Sequence, residues 1–179
     1  MRHRPIPILR IFIGALVVSA AAGVASANAA AAKRCADPSR RQFDFWVGVW
    51  DVTTPDGSVA GSNTIEKASE GCALVERWSG ARGGRGTSLN FYESATRQWV
   101  QIWVDNDGEV LRLSGGLQQG CMVLSGALSS NGAARQRITW TPLGTGRVRQ
   151  LWESSADGGR TWKTEFDGTY TRRGSPKLI

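Results

Sequence analysis

An all-β fold is predicted for this chain: about ten short antiparallel strands in up-and-down order, closed into a barrel, with a short helical turn ahead of the first strand. Three observations predict it. Asp56-Gly57, Asp107-Gly108, Asn131-Gly132 and Asp157-Gly158 are tight-turn dipeptides, each set between runs rich in Val, Ile, Thr, Trp or Leu. Within those runs, apolar residues alternate with the period of a strand. After Arg41, no segment carries an apolar stripe of helical period long enough for a substantial helix.

The first element is a leader. Arg2, Arg4 and Arg10 form a basic start, IFIGALVVSAAAGVASA follows as an apolar run, and Ala25-Ser26-Ala27 and Ala27-Asn28-Ala29 supply small residues at signal-peptidase spacing. The apolar run falls short of the roughly 20 residues of a membrane-spanning helix. Residues 1–29 are therefore expected to be a signal peptide and 30–179 a single barrel domain, exported to the periplasm or the extracellular space.

A helical turn is expected over Pro38 to Phe43. Strands are expected near 45–54, 58–69, 73–81, 85–93, 98–105, 109–114, 121–128, 133–141, 147–154 and 161–171. Gly83-Gly84, Gly115-Gly116 and Gly144 punctuate further runs, and Pro142 should end a strand because it cannot donate to a ladder. Closing such a meander leaves no open edge for other chains to pair with.

Alternation assigns faces. Trp46, Gly48, Trp50 and Val52 fall on one side of the first strand, with Asp51 on the other; Trp99, Gln101 and Trp103 oppose Val100, Ile102 and Val104; Gln150, Trp152 and Ser154 oppose Arg149, Leu151 and Glu153. A solid core would not accept unpaired glutamines beside it. A lumen that holds water or a ligand would, and so would a solvated outer face. The polar residues expected to face a lumen are Glu76, Asn90, Gln101, Arg137, Arg149 and Gln150.

Cys35, Cys72 and Cys121 survive removal of the leader. Export permits disulfides, and an odd number leaves one thiol over. Cys35–Cys72 is the preferred pair, stapling the lead-in to the sheet, with Cys72–Cys121 the alternative. Loss of Arg2, Arg4 and Arg10 lowers the formal charge from +7 to +4, with the basic residues scattered rather than clustered, so no nucleic-acid partner is expected. Monomer and dimer both remain open.

Ser155-Ala156-Asp157-Gly158-Gly159-Arg160-Thr161-Trp162 matches the Asp-box pattern at every fixed position. A single copy reads as a turn: Asp157 accepts backbone N–H groups, Gly158 or Gly159 supplies positive φ, and Trp162 packs back over the hairpin. Asp105-Asn106-Asp107-Gly108 lacks the helices and the distal Glu of a calcium loop and also reads as a turn, with Asp107 in a structural role.

Gly48-Val49-Trp50 resembles the G-x-W signature of lipocalins and other calycins, in which the Trp plugs the barrel base under a basic residue of the last strand. Arg172 and Arg173 are placed to do this here. More broadly, QFDFWVGVWDV (42–52), GCALVERW (71–78), SLNFYE (88–93), WVQIWVDNDG (99–108), RITWTPLGTGRVRQLWESSADGGRTW (137–162) and FDGTYTRR (166–173) resemble an uncharacterised bacterial family of exported, calycin-like proteins near the DUF1579 group. The resemblance spans nearly the whole mature domain. It implies a lipocalin, fatty-acid-binding or nitrobindin type of barrel and no particular activity. Nitrobindin-like barrels hold haem through a histidine. The only histidine here is His3, in the leader, so histidine-ligated haem is excluded for the mature chain and no cofactor or metal site is expected.

No His-Glu-x-x-His, Gly-x-Ser-x-Gly, Walker or Rossmann pattern occurs. The preferred reading is a barrel that binds a small apolar or aromatic ligand, through Trp78, Asn90, Gln101, Trp103, Arg137, Gln150 and Trp152. Gly48, Trp50, Arg172, Asp157, Gly159 and Trp162 are expected to be structural. One alternative is an enzyme (lyase, isomerase or hydrolase) of a small substrate that uses Glu76 as the candidate catalytic group. Another is a structural envelope protein whose lumen is filled by its own side chains.

Overall fold

Alternation resolves into ten antiparallel strands in the computed structural model, which describes residues 35–128 and 134–174. They are β1 (Gly48–Thr53), β2 (Val59–Ala68), β3 (Ala73–Gly80), β4 (Arg85–Glu93), β5 (Gln98–Asp105), β6 (Val110–Gln118), β7 (Cys121–Leu128), β8 (Arg135–Pro142), β9 (Arg147–Ser155) and β10 (Lys163–Arg172). Each pairs with its neighbours in sequence, and β1 pairs with β10, so the sheet closes into an up-and-down barrel without free edges. The expected signal peptide, 1–29, and the turn expected at Asn131-Gly132 lie outside the described residues. Among the described residues, no helix is long and apolar enough to cross a membrane.

Two boundaries shift by more than two residues and one turn is capped by a different residue, each for a local reason. The first strand starts at Gly48 rather than near 45, because Asp44–Trp46 forms a 3-10 turn. Asp44 is held there by ion pairs with Arg41 and Lys67. That turn, with a second over Pro38–Arg41 capped by the Asp37 carboxylate, swings Phe43 and Trp46 beneath the barrel. Gly115-Gly116 is not a turn: β6 runs on to Gln118, and the chain reverses at Gln119-Gly120. A Cβ on Gly115 would collide with the Val123 carbonyl, so this glycine serves the close approach of β6 to β7. Finally, in the β5–β6 turn the capping carboxylate is Asp105, not Asp107. Asp105 accepts the backbone N–H groups of Asp107 and Glu109 at 2.9 Å each.

The base is a plug of aromatic rings. Phe43 stacks on Trp46 with centroids 4.9 Å apart and meets Trp140 and Trp99 edge-on at 5.1 and 5.6 Å. All four side chains are essentially inaccessible to solvent. Offset and edge-on ring pairs of this kind add to the hydrophobic gain of burial. The Trp99 indole N–H donates to the Ser39 carbonyl, and the Arg40 guanidinium donates to the Tyr92 carbonyl, tying the lead-in across the base. Beside them, Trp50 donates its N–H to the Trp46 carbonyl, and Arg172 lies 4.5 Å from the Trp50 ring centroid. Arg172 also donates to the Val47 carbonyl, in the space that a side chain at Gly48 would fill.

Cys35 and Cys72 form a disulfide joining the lead-in to the start of β3. Cys121 is a free thiol in contact with the Thr141 hydroxyl. The Asp-box turn has the expected form. Asp157 accepts the backbone N–H groups of Arg160 and Thr161 and the Thr161 hydroxyl, and the Trp162 N–H donates to the Gly159 carbonyl. Gly158 and Gly159 carry φ of +76° and +98°.

Candidate functional site

Sealing one end with aromatic rings leaves the other end of the lumen open. There a cavity of about 220 Å³ is lined by side chains of β3, β5, β6, β8, β9 and β10. Its walls are apolar and aromatic: Trp78, Trp103, Trp152, Phe166, Leu111 and Ile138. Trp78 and Phe166 meet edge-on at 5.9 Å. The two rim indoles fit because glycines lie beneath them: a Cβ on Gly86 would overlap the Trp103 ring, and one on Gly61 would press on Trp78.

The polar groups on this cavity are Glu76, Gln101, Gln150, Tyr170 and Glu165. Glu76 is 4% exposed, and its carboxylate takes two short hydrogen bonds: Ser88 Oγ donates at 2.6 Å and Asn63 Nδ2 at 2.7 Å. Pairing register makes this contact, since Glu76 faces Ser88 across β3–β4 and Trp78 follows two positions along the same face. Asn90 donates to Ser88 at 2.8 Å, and Gln101 donates to Asn90 Oδ1 at 2.9 Å. On the far side, Asn63 donates to the Tyr170 oxygen, Tyr170 donates to Gln150 Oε1 at 2.7 Å, and the Trp140 indole donates to the same oxygen. A continuous polar chain therefore runs around the lumen wall from Gln101 on β5 to Trp140 on β8.

Burial dominates the ionisation of Glu76. It pushes the carboxyl up to about 7, against the opposing hydrogen bonds from Ser88 and Asn63. Tyr170 is raised well above its usual range by burial and by the neighbouring Glu76. Glu165 behaves in the opposite way. The Ser154 hydroxyl, and to a lesser degree Lys163, hold its carboxyl below the ordinary value at the rim. A carboxyl near 7 in a closed polar network is half-ionised at neutral pH, so it can serve as a proton acceptor or as a charged anchor.

Of the residues expected to bind a ligand, Trp78, Gln101, Trp103, Gln150 and Trp152 line the cavity together with Glu76. Asn90 lies one layer behind, fully buried against Ser88 and Gln101. Arg137 and Arg149 are on the outer face. Arg137 pairs with Glu153 at 2.8 Å and lies 3.9 Å from the Trp162 ring centroid; Arg149 makes a bidentate pair with Asp167. Their placement follows from parity: Arg137 adjoins the inward Gln136 and Ile138, and Arg149 adjoins the inward Gln150. Charged groups on that face keep their hydration, whereas inside they would need counterions.

Several participants were not singled out from sequence. Ser88, Asn63 and Gln136 are buried polar residues, and Gln136 accepts the Trp152 indole N–H at 2.7 Å. Glu165 is brought to the rim by a β-bulge between Thr164 and Phe166, so that two adjacent residues, Glu165 and Phe166, both line the cavity. Strict alternation would have turned one of them outward. Among the described residues, buried Asn63 Oδ1 and Trp46 Nε1 have no hydrogen-bond partner.

Among the described residues, no group of three or more His, Cys, Asp or Glu side chains is arranged to hold a metal ion. The architecture is consistent with the calycin-like superfamily fold: a closed up-and-down barrel, a short N-terminal helical turn, and a base tryptophan under an arginine of the last strand. No family model matches the chain, and no curated protein matches it.

Proposed function

We propose that this chain is an exported, lipocalin-like barrel protein that binds a small apolar or aromatic molecule in the open half of its lumen. The observation that carries this reading is the cavity, about 220 Å³ walled by Trp78, Trp103, Trp152 and Phe166, with a few polar groups converging from one side. Apolar walls with sparse, well-placed polar groups characterise small-molecule sites. The volume lies below the roughly 300–1,000 Å³ of sites for drug-sized ligands, so the buried part of the occupant is about one ring or a short chain. The cavity also speaks against the filled-barrel alternative. Export is supported by the leader pattern and by the Cys35–Cys72 bridge, since disulfides persist in oxidising compartments. Kinship with the exported calycin-like family near the DUF1579 group is supported by the sequence phrases and by the pairing of Trp50 with Arg172.

Titration of tryptophan fluorescence with a panel of single-ring and short-chain compounds tests the binding reading, because three indoles line the site. Saturable change with at least one class is expected. A flat response to every class, with the cavity open, would overturn the reading. Fractionation of cells expressing the full chain, with N-terminal sequencing of the product, tests export. A mature N-terminus at Asn28 or Ala30 is expected.

A second reading is favoured by one observation. Glu76 is buried, hydrogen-bonded to Ser88 and raised to about 7 within an open cavity, which is the condition of a general base. Turnover of a small substrate with a rate that rises through about pH 7 and vanishes in Glu76→Gln would establish an enzyme.

A further inference from the structure

The cavity's charge is one-sided. It carries two carboxyls, Glu76 on the inner wall and Glu165 at the rim, and no Lys or Arg is among the lining residues. Glu165 has a cation beside it, Lys163, with the ammonium 3.2 Å from its carboxylate. Among the described residues, Glu76 has only neutral donors, Ser88 and Asn63. The arginines of the neighbouring strands do not offset it. Arg77 faces outward to Glu66, Arg137 to Glu153 and Arg149 to Asp167. The remaining titratable group against Glu76 is Tyr170, which carries no positive charge in any state.

Trp78, Trp103, Trp152 and Phe166 line the same cavity as this carboxyl. Aromatic rings attract cations through their negative faces, and the attraction grows when water is excluded. A buried carboxylate without a counterion gains most from a ligand that supplies the missing positive charge. The adjacent Asn63 Oδ1, buried and without a partner among the described residues, is a further acceptor behind the cavity wall.

From these relationships we infer that the natural occupant is a small organic cation, an amine or quaternary ammonium on an apolar or single-ring body, with its charge against Glu76 and its body between the rim tryptophans. The inference rests on the reading of the lumen as a binding site and specifies its ligand class. It also assigns the polar network a purpose: Ser88 and Asn63 hold the carboxylate in one orientation, so little is lost in ordering it when the ligand arrives.

The test uses two probes of the same shape, phenyltrimethylammonium and the neutral tert-butylbenzene, titrated by tryptophan fluorescence and calorimetry. The cationic probe cannot titrate, so any pH dependence belongs to the protein. At about pH 8, where Glu76 is mostly ionised, the cation is expected to bind at least about tenfold more tightly than its neutral twin. Protonation should erode that preference toward about pH 5.5, while the neutral probe changes little. Glu76→Gln should abolish the preference, bringing the cation's affinity to that of its neutral twin in the same variant. Should that variant fail to fold, the pH series on the unaltered protein still decides. Equal binding of the two probes at both pH values, or a cation preference untouched in a folded Glu76→Gln, overturns the cation inference and leaves the lumen a neutral-ligand site. Binding of neither probe, nor of any compound in the panel, overturns the binding reading itself.

Discussion

Arg172 and Trp50 are directly opposite each other in the β1–β10 register, and the guanidinium lies 4.5 Å from the indole centroid. The first and last strands are thus locked side chain to side chain at the seam where the barrel closes. Arg172 adds a hydrogen bond to the Val47 carbonyl at 2.9 Å, just before β1. Removal of both contacts by Arg172→Ala is expected to cost about 2–4 kcal/mol. Arg172→Lys should recover only part of that, because an ammonium cannot stack and donate in the same plane. Urea unfolding of the three proteins measures the difference. A loss below about 0.5 kcal/mol for the alanine variant would show that the seam is held by the backbone ladder alone.

Glu76 should give the protein an unusual stability profile. Its folded value, about 7, lies above that of an unfolded chain, near 4.5. Between those values the native state binds the extra proton, so the contribution of Glu76 is fully present below about pH 4.5 and is lost as pH rises through about 7. The change across that window is about 3 kcal/mol. Glu76→Gln should lack this slope and gain on the parent protein as pH rises from about 5 to about 8. Parallel pH-stability curves for the two proteins would refute the assignment.

The lumen has room for a larger side chain. Leu111 lines the cavity from β6, opposite Trp103 in the β5–β6 register. In Leu111→Trp the added ring enters empty space, so stability should change by less than about 1.5 kcal/mol. The fluorescence response to ligands should disappear. Loss of stability by several kcal/mol would mean that the space is not available to a ligand either.

At the Asp-box turn, hydrogen bonds led by those from Thr161 hold Asp157 down to about 2. A depressed carboxyl contributes stability above its unfolded value, near 4, and loses it as pH falls toward about 2. In Asp157→Ala the amides of Arg160 and Thr161 should exchange faster at neutral pH. The stability gap from the parent protein should close as the solution is acidified through that window. A gap that stays constant would assign the effect to chain flexibility rather than to the charge.

The Cys35–Cys72 bridge closes a separation of 37 residues. Constraint of the unfolded chain on that scale is worth about 4 kcal/mol in the loop-entropy model. A Cys35→Ser, Cys72→Ser double variant should lose about that much in chemical unfolding, and Cys121→Ser should lose little. Equal effects from both would indicate that packing around the sulfurs matters more than the cross-link.

Much of the fold was legible because strand periodicity is a local property. The turn dipeptides and the alternation of Trp99, Gln101 and Trp103 specify strand and face without reference to anything distant. The same rule carried Trp78, Trp103, Gln150 and Trp152 into the cavity wall. It also shows why Arg137 and Arg149 were misplaced: each sits next to an inward residue, and neighbours on a strand cannot share a face. Glu165 escaped notice for the converse reason, since a bulge suspends the rule at that position.

The strand and turn pattern, the inward-facing aromatic set and the Asp-box turn are written in local sequence, because they depend on residues a few positions apart. That β1 meets β10, that Phe43 and Trp46 plug the base, and that Ser88 and Asn63 converge on Glu76 emerges from the folded barrel alone. Those contacts join positions far apart in the chain through the registers of several strand pairs and through barrel closure. A shift of β3 by one residue against its neighbours would have turned the carboxyl out to solvent.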